Sequence, residues 1–152
     1  MRRGIKSHKR IPTIEDQWMV FQGRNEEYSM VIRKNMGLEK IAGKGFLNIR
    51  SGISFEILNP KKDGFPTESE NEILYRIEDE IFKKLDGKDS AFVGIIITTS
   101  GFKEFIIYHN HDFEIKEVLK KLQSKFESYN FTSYTKEDKD WKLYKEISNN
   151  VP

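Results

Sequence analysis

The chain contains no cysteine. That absence removes disulfides, thiolate metal sites and cysteine nucleophiles together, and it fits a reducing compartment. Proline and glycine are also sparse, at four and ten of 152 residues, which excludes a collagen-like or low-complexity chain. No long apolar run exists. The longest, Ala91 to Ile97, falls far short of the roughly 20 residues that cross a bilayer. No Gly-rich phosphate loop follows a strand and opens a helix, and no G-x-S-x-G elbow is present. These absences predict a soluble, cytoplasmic protein with no membrane partner and no cofactor.

What the chain does have is aromatics and charge. Eleven Phe, six Tyr and two Trp argue for a packed core, and 152 residues suit one domain. The net charge of +2 is unevenly spread. Residues 1–10 hold Arg2, Arg3, Lys6, Lys9 and Arg10 without an acid, leaving 21 basic against 24 acidic residues in the rest. Residues 1–14 therefore read as a basic, flexible lead-in without the apolar stretch of a secretory signal, and residues 15–152 as a single α+β domain.

Along the domain, Gln17–Gln22 and Tyr28–Arg33 read as strands of an N-terminal hairpin, linked through Gly23 to Glu27. The Gly-rich stretch 37–45 reads as a loop. Between Phe46 and Leu58, Ile53, Phe55 and Ile57 alternate with Ser54 and Glu56, the period of a half-buried strand. Thr67 and Glu70 have capping-box spacing: the Thr hydroxyl accepts from the amide three residues on, and the Glu reaches back to the Thr67 amide. The helix they open puts Ile73, Leu74, Ile77, Ile81 and Leu85 on one face and ends at Asp86-Gly87.

Strands 91–99 and 102–109 follow, joined by Ser100-Gly101, a two-residue hairpin signal. A second helix carries Ile115, Val118, Leu119, Leu122 and Phe126, with Asp112 as its expected N-cap. A strand over 130–135 and a short C-terminal helix over 138–147 complete the chain. Residues 46–136 thus read β-α-β-β-α-β. That is the order of a ferredoxin-like antiparallel sheet with two helices on one face, here with the extra hairpin extending the sheet or covering its open face.

Asp63-Gly-Phe-Pro66, Leu74-Tyr-Arg-Ile-Glu-Asp79, Thr98 to Tyr108 and Asp140-Trp-Lys-Leu-Tyr144 together resemble the bacterial family designated domain of unknown function 695. The likeness runs from about Trp18 to the C-terminus. From residue 60 onward the chain also resembles, more distantly, the bacterial regulator of ribonuclease activity B, with Lys103 where that pattern carries Arg. The second resemblance implies a ferredoxin-like fold and a non-catalytic binding role. Neither supplies a functional residue.

Candidate chemistry is thin. His109, His111 and Asp112 offer metal-ligand types, but His109 and His111 share a face only if the strand runs through both. Otherwise they form a polar turn. Glu78, Asp79 and Glu80 are consecutive helix residues that fan out by about a hundred degrees each, so they make a solvated acidic face rather than a catalytic pair. An aromatic base-stacking platform on the sheet is opposed by Glu56 and Glu104, whose carboxylates would repel phosphate.

Three functions fit this inventory. The favoured one is a non-catalytic protein-binding or regulatory domain, docking a protein partner through Glu78 and Asp79; Trp141 and Tyr144 read first as packing anchors for the terminal helix and as partner contacts where they stay exposed. The second is an RNA-associated protein using Arg2, Arg3, Lys6, Lys9 and Arg10 as an electrostatic arm. The third is a metal-dependent hydrolase at the His109/His111 turn. A homodimer through the sheet is a further expected mode of partnership.

Overall fold

A computed structural model describes residues 11–24, 29–85 and 89–150. The elements are β1 (Trp18–Arg24), β2 (Ser29–Asn35), a 3-10 helix (Met36–Lys40), β3 (Ile49–Glu56), α1 (Glu68–Leu85), β4 (Ala91–Thr99), β5 (Phe102–His109), α2 (Ile115–Lys125), β6 (Thr132–Glu137) and α3 (Lys142–Asn150). They form an α+β domain with one six-stranded sheet, in the order β1-β2-β4-β5-β3-β6. Every neighbouring pair is antiparallel. The N-terminal hairpin extends the sheet beyond β4 rather than covering a face. No described helix is long and apolar enough to cross a membrane.

Strand alternation divides the core in two. Ile53 and Phe55 of β3, Val93 and Ile96 of β4, and Phe105 and Ile107 of β5 meet Leu74, Ile77, Ile81, Val118 and Leu122 of α1 and α2. On the opposite face Ile95, Ile106 and Tyr108 meet Leu38, Ile41, Trp141, Tyr144 and Ile147. A bulge between Val93 and Ile95 shifts the alternation of β4, so that Val93 and Ile96 face one core and Ile95 the other. The β4–β5 turn has Ser100 at φ 48° and Gly101 at φ 81°, the paired positive angles of a type I′ hairpin.

Four local expectations are corrected by contacts made over long distances. Stretch 37–45 is not simply a loop: Asn35 accepts from the Gly37 amide at 3.1 Å and caps the 3-10 helix, which buries Leu38. Asp112 does not cap α2. Its amide donates to Asn110 Oδ1 at 2.9 Å, and Glu114 takes the N-cap place without a side-chain bond. The last strand begins at Thr132, because Phe131 is drawn into the core with its amide on Gln123 Oε1. The C-terminal helix starts at Lys142, where Asp138 Oδ1 accepts the Lys142 amide at 2.9 Å. The expected stop at Asp86-Gly87 and most of the first hairpin's link lie outside the described residues.

Half of the capping box forms. The Glu70 amide donates to Thr67 Oγ1 at 3.3 Å, but the Glu70 carboxylate does not return to Thr67. It is buried, accepts the Leu58 and Asn59 amides at 2.7 and 2.6 Å, and takes the Tyr129 hydroxyl at 2.5 Å. One carboxylate thus joins the exit of β3, the start of α1 and the segment after α2. Glu80 is likewise not solvated: it is buried and receives Lys125 Nζ at 2.7 Å, linking α1 to α2.

Glu70→Ala strands two amides and a phenol hydroxyl at once. It is expected to destabilise the fold by about 3 kcal/mol, and Tyr129→Phe by about 1 kcal/mol. Urea unfolding of both single variants and the double variant checks this, and the double variant should lose less than the sum.

Candidate functional site

The face opposite α1 and α2 is only partly covered. α3 and the 3-10 helix lie over Ile95, Ile106 and Tyr108; in the next row along the sheet Ile32 is buried in the same core, Phe21 and Ile97 are partly buried against it, Glu104 and Ser54 are half-buried and Thr132 is exposed. Strand register aligns that row as Phe21, Ile32, Ile97, Glu104, Ser54 and Thr132. Its β1–β4 half is apolar. Its β5–β6 half carries a carboxylate and two hydroxyls, with Ser54 and Thr132 bonded to each other at 3.0 Å.

Glu104 stands at the junction of these halves. Among the described residues its carboxylate has no hydrogen-bond partner. Burial raises its pKa above the ordinary carboxylate range, with Arg50 opposing the shift. The space it occupies exists because residue 52 is glycine. A methyl group there would collide with the Tyr134 ring and stand 2.8 Å from a Glu104 carboxylate oxygen. Tyr134 is 37% exposed, and its ring centroid lies 5.7 Å from the Arg50 guanidinium.

Arg50 binds the other side of the cluster. Its Nη1 donates to Asp138 Oδ2 at 3.1 Å, while its buried Nε has no partner among the described residues. Asp138 Oδ2 also accepts the Tyr108 hydroxyl at 2.8 Å. Burial first, and that bond second, push the Tyr108 phenol well above its ordinary range. Asp138 Oδ2 therefore has both acceptor sites taken and Oδ1 holds the Lys142 amide, whereas Glu104 keeps its full acceptor capacity among the described residues.

The residues singled out from sequence fall elsewhere. Glu78 is held by Arg33 in a bidentate pair at 2.8 and 3.0 Å, so it is not a free acidic contact. Asp79 is exposed at the rim of a cleft of about 460 Å³ beside Asp16 and Lys83. The buried amide in that cleft, Asn35, is already committed to Asp16, Gln17 and Gly37. Trp141 and Tyr144 are fully buried and cannot touch a partner on the intact surface. Trp141 stacks on Tyr108 at 3.9 Å and donates its indole N–H to the Leu47 carbonyl at 2.7 Å. Tyr144 bonds the Asn35 carbonyl at 2.6 Å. The arm Arg2, Arg3, Lys6, Lys9 and Arg10 lies outside the described residues.

The histidine turn does not assemble. β5 ends at His109, so His109 and His111 do not share an extended face. His109 is 3% exposed, whereas His111 and Asp112 are exposed. Among the described residues no group of three or more His, Asp or Glu is arranged to hold a metal ion. His109 Nδ1 lies 2.8 Å from the Asn110 carbonyl and must donate to it, which leaves Nε2 to accept the Ser51 hydroxyl at 2.7 Å. Ser51 in turn bonds Thr135 at 2.7 Å. Ser51 is fully buried, and this chain of polar groups joins β3, β5 and β6, ending on the exposed Thr135.

Glu104, Tyr134 and Arg50 were not picked out as a site by sequence. The available signal was Glu104 itself, a carboxylate inside an otherwise apolar strand. Comparison with known proteins gives one match: the model of a family of unknown function (DUF695) fits residues 16–147. No curated protein and no solved structure matches the chain.

Burial, reinforced by His111, lowers the His109 pKa, although the bond to Asn110 opposes it. The unfolded chain therefore takes up this proton first as pH falls. The contribution of neutral His109 is full above its unfolded pKa, near 6.5, and is lost as pH drops toward the lower folded value. His109→Gln is expected to flatten the decline of the urea midpoint between about pH 7 and 5, read against wild type.

Proposed function

The chain belongs to the family of unknown function DUF695, and from that premise we propose that it is a non-catalytic, regulatory protein-binding domain of the cytoplasm. Its contact surface on this reading is the open row around Glu104. The partner is a protein segment that places a lysine or arginine on Glu104 and lays apolar side chains on Phe21 and Ile97. A half-buried carboxylate without a hydrogen-bond partner among the described residues, set between an apolar strip and the partly exposed Tyr134, carries this proposal. Such a group costs stability while it is empty and is compensated when a cation reaches it.

The strand order supports reading the domain as ferredoxin-like. β3 and β4, joined through α1, are both antiparallel to β5, which lies between them, and β6 flanks β3. Sites on sheets of this plan commonly use the face away from the two helices, as RNA-recognition modules do. Here Trp141 covers Tyr108 on that face, so a base-stacking platform is not supported. RNA association through residues 1–10 is a separate proposal, motivated by five cations in ten residues.

Affinity capture from lysate of the source cells tests both, using wild type, Glu104→Gln and Glu104→Lys. The protein-binding proposal expects a stoichiometric protein that survives nuclease and is lost at least about tenfold with Glu104→Lys. Glu104→Gln is expected to raise the melting temperature by about 2 °C at neutral pH. That gain should shrink toward pH 4, because the penalty on the ionised carboxylate is absent below its unfolded pKa and appears as pH rises through the raised folded value. Capture indifferent to both substitutions overturns the assignment of this face. Capture that collapses with nuclease and with deletion of residues 1–10 replaces it with RNA association.

A further inference from the structure

Among the described residues the sheet has two edges without a neighbouring strand, and their chemistry differs. β6 carries Lys136 and Glu137, charges that discourage strand-to-strand association. β1 has neither charge nor proline from Trp18 to Gln22, and Met19 and Val20 are 48% and 58% exposed. Those two side chains lie on opposite faces of the strand, so the exposure belongs to the edge rather than to one face.

The hydrogen-bond phase of β1 is set by the Gln17 carbonyl, which accepts the Met36 amide at 2.7 Å. Antiparallel pairs alternate, so residues 17, 19, 21 and 23 direct their backbone groups to β2. The amides and carbonyls of Trp18, Val20 and Gln22 face outward. They form a row ready to pair with another strand.

We infer that this row pairs with itself: two copies of the chain join β1 to β1, antiparallel, about a two-fold axis at Val20, into one continuous sheet. This register uses the outward-facing residues and sets Val20 opposite Val20 and Trp18 opposite Gln22. Met19 of each copy falls opposite Phe21 of the other on the α3 side, so the exposed apolar groups cover one another. The sequence charges fit the same register. Asp16 falls opposite position 24, which is an arginine, at both ends of the joined strands. Moving the axis to Phe21 separates that pair, and charge complementarity selects Val20 over it. The occupant of the edge is therefore a second copy, not an unrelated peptide.

Light scattering and sedimentation of the full chain through the micromolar range test this, together with three variants. Wild type is expected to be dimeric. Val20→Pro removes only an outward amide, which an edge strand tolerates, and should give a monomer with an unchanged circular dichroism spectrum. If Val20→Pro fails to fold, Val20→Lys decides the same point by placing a charge on the edge. Because the chain has no cysteine, a single introduced one can bridge only between copies. Val20→Cys is expected to form a disulfide dimer under mild oxidation much faster than Tyr75→Cys, an equally exposed position on α1. A wild-type monomer overturns the inference. So does a dimer that persists in the folded Val20 variant, or equal cross-linking at positions 20 and 75.

Discussion

Asp138 accepts bonds from three directions, and the position of α3 follows from it. Oδ1 takes the Lys142 amide, Oδ2 takes Arg50 and the Tyr108 hydroxyl, and the backbone carbonyl takes the Trp141 amide at 2.9 Å. The Asp138 amide donates to Asn48 at 2.8 Å, which fixes the end of β6 beside the start of β3. A helix start, two strands and a core tyrosine are thus held by one residue. The chain turns at Trp141 with φ 55°, an angle that an L-residue holds only when its surroundings determine it. Here the indole stacked on Tyr108 and bonded to Leu47 supplies that determination. Placing α3 over Ile106 and Tyr108 leaves the row containing Glu104 only partly covered among the described residues.

Three interior carboxylates show how differently the same group can be treated. Glu70 accepts two amides and a phenol hydroxyl, and Asp138 an amide, a guanidinium and a phenol hydroxyl. Both are satisfied and act as structural joints. Glu104 shares the sheet with Arg50 but is given no bond by it, because Arg50 directs Nη1 to Asp138. Desolvation without compensation is what lifts the Glu104 pKa, and its incomplete environment sets it apart from the others. Glu104→Gln separates the two roles a buried acid can have: a structural joint weakens when neutralised, whereas a group reserved for a partner does not.

Legibility in the sequence tracks the range of the interactions. Periodicity located α2 through Ile115, Val118 and Leu122, and alternation located β3 through Ile53 and Phe55, because those patterns are local consequences of burying one face. The Ser100-Gly101 hairpin was equally legible, since two residues determine it. Glu70 was recognised as polar chemistry at a helix start, but its true partners are 11, 12 and 59 residues away. Trp141 and Tyr144 read from sequence as packing anchors or, where exposed, as partner contacts, because a short helix can place aromatics inward or outward. Only the long-range bonds to Leu47 and Asn35 decide between those placements. The site was least legible for the same reason: Arg50, Glu104 and Tyr134 come from three strands.

Edge and face are geometrically coupled. Two copies joined at β1 about an axis perpendicular to the sheet keep their α3-bearing faces on the same side. β5 is the fourth strand from the β1 edge in each copy, which places seven inter-strand steps between the two Glu104 carboxylates, or about 34 Å at the ordinary strand spacing. Phe21 begins the open row at the joined edge and Glu104 ends its apolar half, so the two rows run toward each other across the seam. A partner with two basic anchors at that separation gains effective concentration from the second contact, whereas a shorter one engages each copy singly. If both proposals hold, the length of the partner's basic segment would connect self-association to recognition: a bivalent partner would stabilise the dimer by binding across it, and a monovalent one would leave the β1 equilibrium unchanged.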